Sequence, residues 1–158
     1  MTTRDAKTLY QALVLDHGKS PRNEGPLEGE THTATARNPL CGDRVTVHAL
    51  VDEGGIIRRA TFEARGCMIA RASASLLTES VVGQDAAAAM ALVRMLDALV
   101  AGAGAGAEPP AGRDLPEALE PLRGVQQFPA RRACVTLPWH ALRDALLRYA
   151  TSPGVSRL

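Results

Sequence analysis

Cys41, Cys67 and Cys134 are the only cysteines in the 158 residues of this chain, and each stands in a pointed local context. Asn38-Pro39-Leu40-Cys41-Gly42-Asp43 places a carboxylate two positions after the first thiol. The second thiol lies in Gly66-Cys67-Met68-Ile69-Ala70. The third lies in Arg132-Ala133-Cys134-Val135-Thr136-Leu137-Pro138-Trp139. Three thiolates and one carboxylate make a four-ligand set suited to a tetrahedral zinc ion. No CxxC knuckle spacing is present, so spacing alone says little about zinc, and the three segments would have to meet in the fold. Pro39 biases Asn38 toward extended geometry. Gly42 permits a tight turn, so that Cys41 and Asp43 can face one ion. Taken singly, a cysteine is more often a buried small hydrophobe than a ligand, and Asp43 alone would read as a turn cap.

The elements that must position these residues follow from pattern. Leu9, Leu13 and Val14 share a helical face within a helix expected from about Asp5 to Leu15, stopping near Asp16-His17-Gly18. A turn-rich loop over 19–29 carries Pro21, Gly25 and Pro26. Three strands are expected, at Thr31–Arg37, Arg44–Val51 and Ile56–Glu63, the last two joined by the hairpin Asp52-Glu53-Gly54-Gly55. Helices are expected over Ile69–Val82, closed by Gly83, and over Gln84–Val100, followed by a Gly/Ala/Pro-rich flexible connector at 101–112. A short helix at Leu115–Leu122 should precede a final helix that starts near Pro138, a favoured first-turn position for proline, and ends near Tyr149. The fold class is α+β: a small three-stranded antiparallel sheet with helices packed on one face. Residues 1–150 should form a single domain and 151–158 a loose tail.

On this map Cys41 enters the second strand, Cys67 follows the third and precedes a helix, and Cys134 precedes the last helix. Pairing strands two and three brings Cys41 and Cys67 to the same sheet edge. A helix N-terminus favours a thiolate, at Cys67 and at Cys134, and Arg131 and Arg132 push the same way. His48, facing outward on a strand, and His140, on the last helix, are expected at the surface. His17 and His32 are likewise left out of the ligand set. Arg131 is expected in solvent, Trp139 in packing and Met68 as a gap-filler.

The bulk properties bound the rest. Apolar residues make up 46% of the chain and the formal net charge is +1, so neither general disorder nor unspecific affinity for nucleic acid is implied. No apolar run is long enough to cross a bilayer, and the N-terminus lacks the apolar stretch of a secretion signal, so a cytoplasmic location without membrane attachment is expected. An odd count of cysteines in a reducing compartment points to ligands or nucleophiles rather than a disulfide framework.

The Asn38–Asp43 stretch resembles the NPxCGD signature of the IscU/NifU-like proteins of iron–sulfur cluster assembly. Gly66 to Ser73 resembles that family's GC-x-I-x-x-AS stretch. Leu9-Tyr10 to Asp16-His17, with Pro21-Arg22-Asn23 after it, looks like the family's first helix and loop. The likeness runs from about Leu9 to Tyr149. Scaffolds of the IscU type carry a histidine immediately before the third cysteine, where this chain has Ala133. Phe128 to Trp139, together with the additional residues over 103–127, looks like the SufU branch instead.

That resemblance implies a zinc site of Cys41, Asp43, Cys67 and Cys134, with Cys41 as the catalytic sulfur acceptor. It implies a zinc-dependent sulfurtransferase that takes persulfide sulfur from a pyridoxal-phosphate (PLP) cysteine desulfurase of the SufS-like kind and relays it to downstream iron–sulfur assembly machinery. In that branch a partner histidine replaces one cysteine on zinc, and the freed thiolate attacks the persulfide. Two other readings use the same residues: a scaffold on which iron and sulfide assemble as a [2Fe–2S] cluster, and a zinc-stabilised interaction module without catalysis.

Overall fold

The computed structural model describes residues 3–40, 42–102 and 115–151. The element order is α1 (Thr3–Lys19), β1 (His32–Arg37), β2 (Arg44–Val51), β3 (Ile57–Arg65), α2 (Met68–Val81), α3 (Ala86–Ala101), 3-10 segments at Glu117–Gln127 and Pro129–Arg131, and α4 (Arg132–Thr151). The three strands form an antiparallel meander in the order β1-β2-β3. His32 to Arg37 pair with Ala49 to Arg44, and Arg44 to Leu50 pair with Arg65 to Arg59. This is the α+β architecture that the alternation of Val45, Val47 and Ala49 implies.

Register decides what each face carries. Ala34, Val45, Val47, Ala49, Ala60 and Phe62 all point inward and are buried. α2 packs on β3, and α4 packs on β1 and β2. Leu77, Val81, Trp139 and Leu142 close the core between helices and sheet. α1 lies over α2, and α3 over α4. The free edge of β3 is covered by the loop after α1: Gly25 N donates to Phe62 O at 2.7 Å and Phe62 N to Asn23 O at 3.1 Å. Covering an edge this way removes a template for unwanted strand pairing.

Local signals account for the helix starts. Cys67 is the N-cap of α2, its sulfur accepting from Ala70 N at 3.4 Å. Asp85 caps α3, its carboxylate accepting from Ala88 N at 2.8 Å, and Gly102, at φ 85°, ends that helix.

Two expectations are corrected here. The final helix starts at Arg132, six positions before Pro138, so Cys134 sits in its first turn rather than ahead of it. The 3-10 turn Pro129–Arg131 feeds directly into α4, and Val135, Trp139, Leu142 and Leu146 form one buried stripe that carries the helix through the proline. Pro138 has no N–H to offer the Cys134 carbonyl four residues earlier. The short helix expected at Leu115–Leu122 is instead a 3-10 stretch over Glu117–Gln127. Most of the expected connector at 101–112 and all of the tail beyond Thr151 lie outside the described residues.

Candidate metal centre

Asp43, Cys67 and Cys134 come from three separate parts of the chain and converge. One ligand atom from each lies within 4.8 Å of the others. Asp43 is 4% exposed and Cys134 2%. Asp43 Oδ1 accepts from the Cys67 backbone N–H at 3.1 Å, and the Cys134 thiol donates to Asp43 Oδ2 at 3.5 Å. Cys41 lies outside the described residues, but the loop that holds it is closed on both sides. Asn38 N donates to Asp43 O at 2.9 Å, Gly42 N to Asn38 O at 2.8 Å, and Leu40 N to Asn38 Oδ1 at 3.0 Å. Gly42, at φ 76°, makes the turn that returns the chain to β2.

Two further features fix the geometry. Gly66 has φ 130°, and a Cβ there would stand 2.0 Å from Asp43 Oδ1 and 2.6 Å from its Cγ. Only glycine leaves room for the carboxylate. The second feature is a buried link between α2 and α4: Trp139 Nε1 donates to Ser73 Oγ at 3.0 Å, and Ser73 Oγ donates to Val135 O at 2.6 Å. Cys67 caps α2 and Cys134 sits in the first turn of α4, so this link holds the two sulfurs in register.

The thiols meet conditions opposite to those expected from sequence. Burial pushes the Cys67 thiol up from its ordinary value; the Ala70 N–H opposes this, and Asp43 adds to the rise. Cys134 is pushed up to about 12, first by burial, then by Cys67 and Asp43. Desolvation and neighbouring negative charge outweigh the helix N-termini. Without a cation both sulfurs are therefore thiols at neutral pH.

These donors suit one divalent cation. Bonds of about 2.0–2.3 Å in a tetrahedron place ligand atoms about 3.5 Å apart, which is the Cys134 Sγ–Asp43 Oδ2 separation. A cation would also reverse the repulsion among the three groups and take the protons off the sulfurs.

The histidines divide differently from expectation. His48, expected at the surface, is 8% exposed: it lies between Glu30, bonded to Nδ1, and Glu63, 2.7 Å from Nε2. Long carboxylate side chains roof it on the open sheet face. His140 is half-buried with Nε2 2.8 Å from Asp97 Oδ1. His17 is buried with Nδ1 2.8 Å from Ser75 Oγ, which also accepts from Arg22 N at 2.8 Å, so it ties α1 and its loop to α2. Trp139 is fully buried and Arg131 exposed, as expected, while Met68 is 43% exposed, packed against Gly18. Tyr10 is a neighbour that sequence reasoning missed. Its hydroxyl is buried without a hydrogen-bond partner among the described residues, and its pKa is raised to about 12 by burial and by the charges of Cys134 and Cys67. A lone tyrosine on an amphipathic helix carries no signal of such a place.

Comparison with known proteins locates the chain. The NifU-like N terminal domain matches residues 9–135. The zinc-dependent sulfurtransferase SufU of Bacillus subtilis is 37% identical over 141 residues, covering 89% of this chain and 91% of the relative. The iron–sulfur cluster assembly scaffold protein IscU of Streptococcus pyogenes is 39% identical over 144 residues, covering 91% and 86%. Among solved structures, a putative iron–sulfur cluster assembly scaffold protein for the SUF system from Fervidobacterium islandicum superposes with TM-score 0.71 at 26% identity, covering 88% of this chain and 97% of that one. The N-terminal part of a NifU-like protein from Brucella abortus shares the fold with TM-score 0.74 at 23% identity, covering 96% and 99%. Among the described residues no helix is long and apolar enough to cross a membrane.

Proposed function

The chain belongs to the NifU-like N-terminal domain family of iron–sulfur cluster assembly proteins, and from that membership we propose that it is a zinc-dependent sulfurtransferase whose partner is a PLP-dependent cysteine desulfurase of the SufS-like kind. The observation that carries this reading is the convergence of Asp43, Cys67 and Cys134 beside the closed loop of Cys41. The exposed Ala133 before Cys134, where IscU-type scaffolds have a histidine ligand, supports the SufU side of the family.

In this reading Cys41, Asp43, Cys67 and Cys134 hold the ion. Zinc, when bound, keeps the sulfurs deprotonated while lowering their nucleophilicity. The chain's own residues do the rest. Asp43 supplies the one oxygen donor and is fixed by the Cys67 N–H. Cys67 and Cys134 are anchored in helix starts and cannot leave without disturbing α2 or α4. Leu40, the residue before Cys41, is 94% exposed, which supports Cys41 as the sulfur that meets a partner. Its thiolate attacks the outer sulfur of the donor's persulfide. The donor's S–S bond breaks, its cysteine departs as a thiolate, and Cys41 is left as the new persulfide.

The test is sulfur uptake from a persulfurated desulfurase, read by intact mass and by sulfide release from cysteine. The chain should take up sulfur and stimulate turnover, and Cys41→Ala should do neither while keeping its fold. Undiminished uptake by Cys41→Ala rejects the assignment. The second reading, a [2Fe–2S] scaffold, is favoured by the Streptococcus pyogenes relative, named as a scaffold at comparable identity. Iron with acid-labile sulfide on the purified chain, in place of zinc, would select it.

A further inference from the structure

Arg37, Arg44 and Arg65 face one another across all three strands: Arg37 pairs with Arg44, and Arg44 with Arg65. All three point to the open face of the sheet, opposite the core. Arg37 and Arg65 are exposed and Arg44 is half-buried. With strands about 4.8 Å apart, the row spreads over about 10 Å. Like charges placed directly opposite destabilise a sheet. None of the three guanidinium groups has an ion pair or hydrogen bond among the described residues. The nearby carboxylates are committed elsewhere: Glu63 to His48, and Asp43 to Cys67 and Cys134.

The row borders two open concavities. One, of about 400 Å³, is lined by the arginines with Thr35, Thr46 and Glu63. The other, of about 310 Å³, is lined by the arginines with Asn38, Pro39, Gly42 and Asp43. The Cys41 loop springs from between Arg37 and Arg44, so the row lies at the base of that loop.

We propose that the Arg37–Arg44–Arg65 row is a docking surface for an acidic segment of the sulfur-donating desulfurase, which it seats beside the Cys41 loop. This rests on the sulfur-transfer reading above. Charge complementarity names the occupant: three unanswered guanidinium groups call for several carboxylates. The row is open and spread out, which suits a polypeptide carrying successive acids better than one small enclosed anion. Among the described residues the two concavities are lined by threonines and by no aromatic ring for base stacking, which disfavours single-stranded nucleic acid. Exposed charges of this kind act mainly on encounter and on salt dependence.

The experiment compares Arg37→Gln/Arg65→Gln with the charge-matched Arg59→Gln/Arg94→Gln, the latter pair exposed and away from the row. Affinity for the desulfurase is measured directly by calorimetry at about 0.01 M and 0.15 M salt, where screening lengths are about 30 Å and 8 Å. The first variant should bind about tenfold more weakly at low salt, with a flatter salt dependence, and the control should match the parent chain. Equal weakening in both variants, no effect in either, or no binding by the parent chain overturns the docking surface. So does tighter binding of inorganic phosphate or of a single-stranded oligonucleotide with desulfurase affinity unmoved. If the parent chain binds but does not stimulate the desulfurase, the sulfur-transfer reading fails, and the docking surface is still decided by affinity.

Discussion

Gly66 and Asp43 share a space that admits no side chain: a Cβ on residue 66 would stand 2.0 Å from Asp43 Oδ1. The glycine therefore does more than supply a left-handed turn between β3 and α2. It lets the carboxylate lie against the start of α2 and accept from the Cys67 N–H.

Gly66→Ala should bind the metal more weakly as well as lose stability. The backbone strain alone costs about 1–3 kcal/mol, and the clash drives Asp43 out of place. Gly25→Ala is the control, because Gly25 has a similar φ of 136° and nothing within 4 Å of an added Cβ. Both variants should melt earlier, and only Gly66→Ala should bind zinc more weakly by competition with a chromophoric chelator.

The link through Ser73 joins α2, which Cys67 caps, to α4, which carries Cys134 in its first turn. Ser73→Ala leaves Trp139 Nε1 buried without its acceptor, at about 1–3 kcal/mol. The melting temperature should fall by about 2–4 °C for each kcal/mol, measured by calorimetry on the metal-free chain. Zinc affinity should fall too, since the sulfurs lose their common register.

How much of this was legible from residues alone is uneven, for physical reasons. The strands were legible because Val45, Val47 and Ala49 alternate with polar neighbours, and the hairpin 52–55 fixes the register of β2 on β3. That register brings the start of β2 beside the end of β3, the edge where Cys41 and Cys67 were expected to meet; Asp43 approaches Cys67 there, and Cys41 lies outside the described residues. The start of α4 was not legible. Proline is favoured in a first turn, and nothing local shows that the stripe from Val135 to Leu146 carries the helix across Pro138. His48 was misplaced because strand alternation gives direction but not what folds over it, and Glu30 comes from outside the sheet. The thiol electrostatics were misjudged because burial is a tertiary property, and at both cysteines it exceeds the pull of the helix start.

Metal binding should be steeply dependent on pH. Cys67 and Cys134 both have raised pKa values in the metal-free chain, so each carries a proton at neutral pH and must release it to bind. Affinity should rise about tenfold per pH unit for each of these two thiols between pH 6 and 8. Calorimetry in buffers of different ionisation enthalpy should count at least two protons released.

Acid should destabilise the metal-free chain through its buried imidazoles. Burial lowers the pKa of His17 and of His32 below the ordinary 6.5. Well above pH 6.5 both are neutral folded and unfolded, so they contribute no pH dependence there. Below it the unfolded chain takes up protons first, and stability falls as pH drops toward the folded values. Urea midpoints should decrease from pH 7.5 to 5.5. His17→Gln should be less stable at pH 7.5, having lost the Ser75 contact, and should show a shallower decrease.

X-ray absorption at the zinc edge reads the proposed centre most directly. The purified chain should show three sulfurs at about 2.3 Å and one oxygen at about 2.0–2.2 Å around zinc, with one sulfur lost in Cys134→Ser. A shell of nitrogen and oxygen alone, or a spectrum unchanged by Cys134→Ser, would contradict a single ion held jointly by Cys41, Asp43, Cys67 and Cys134.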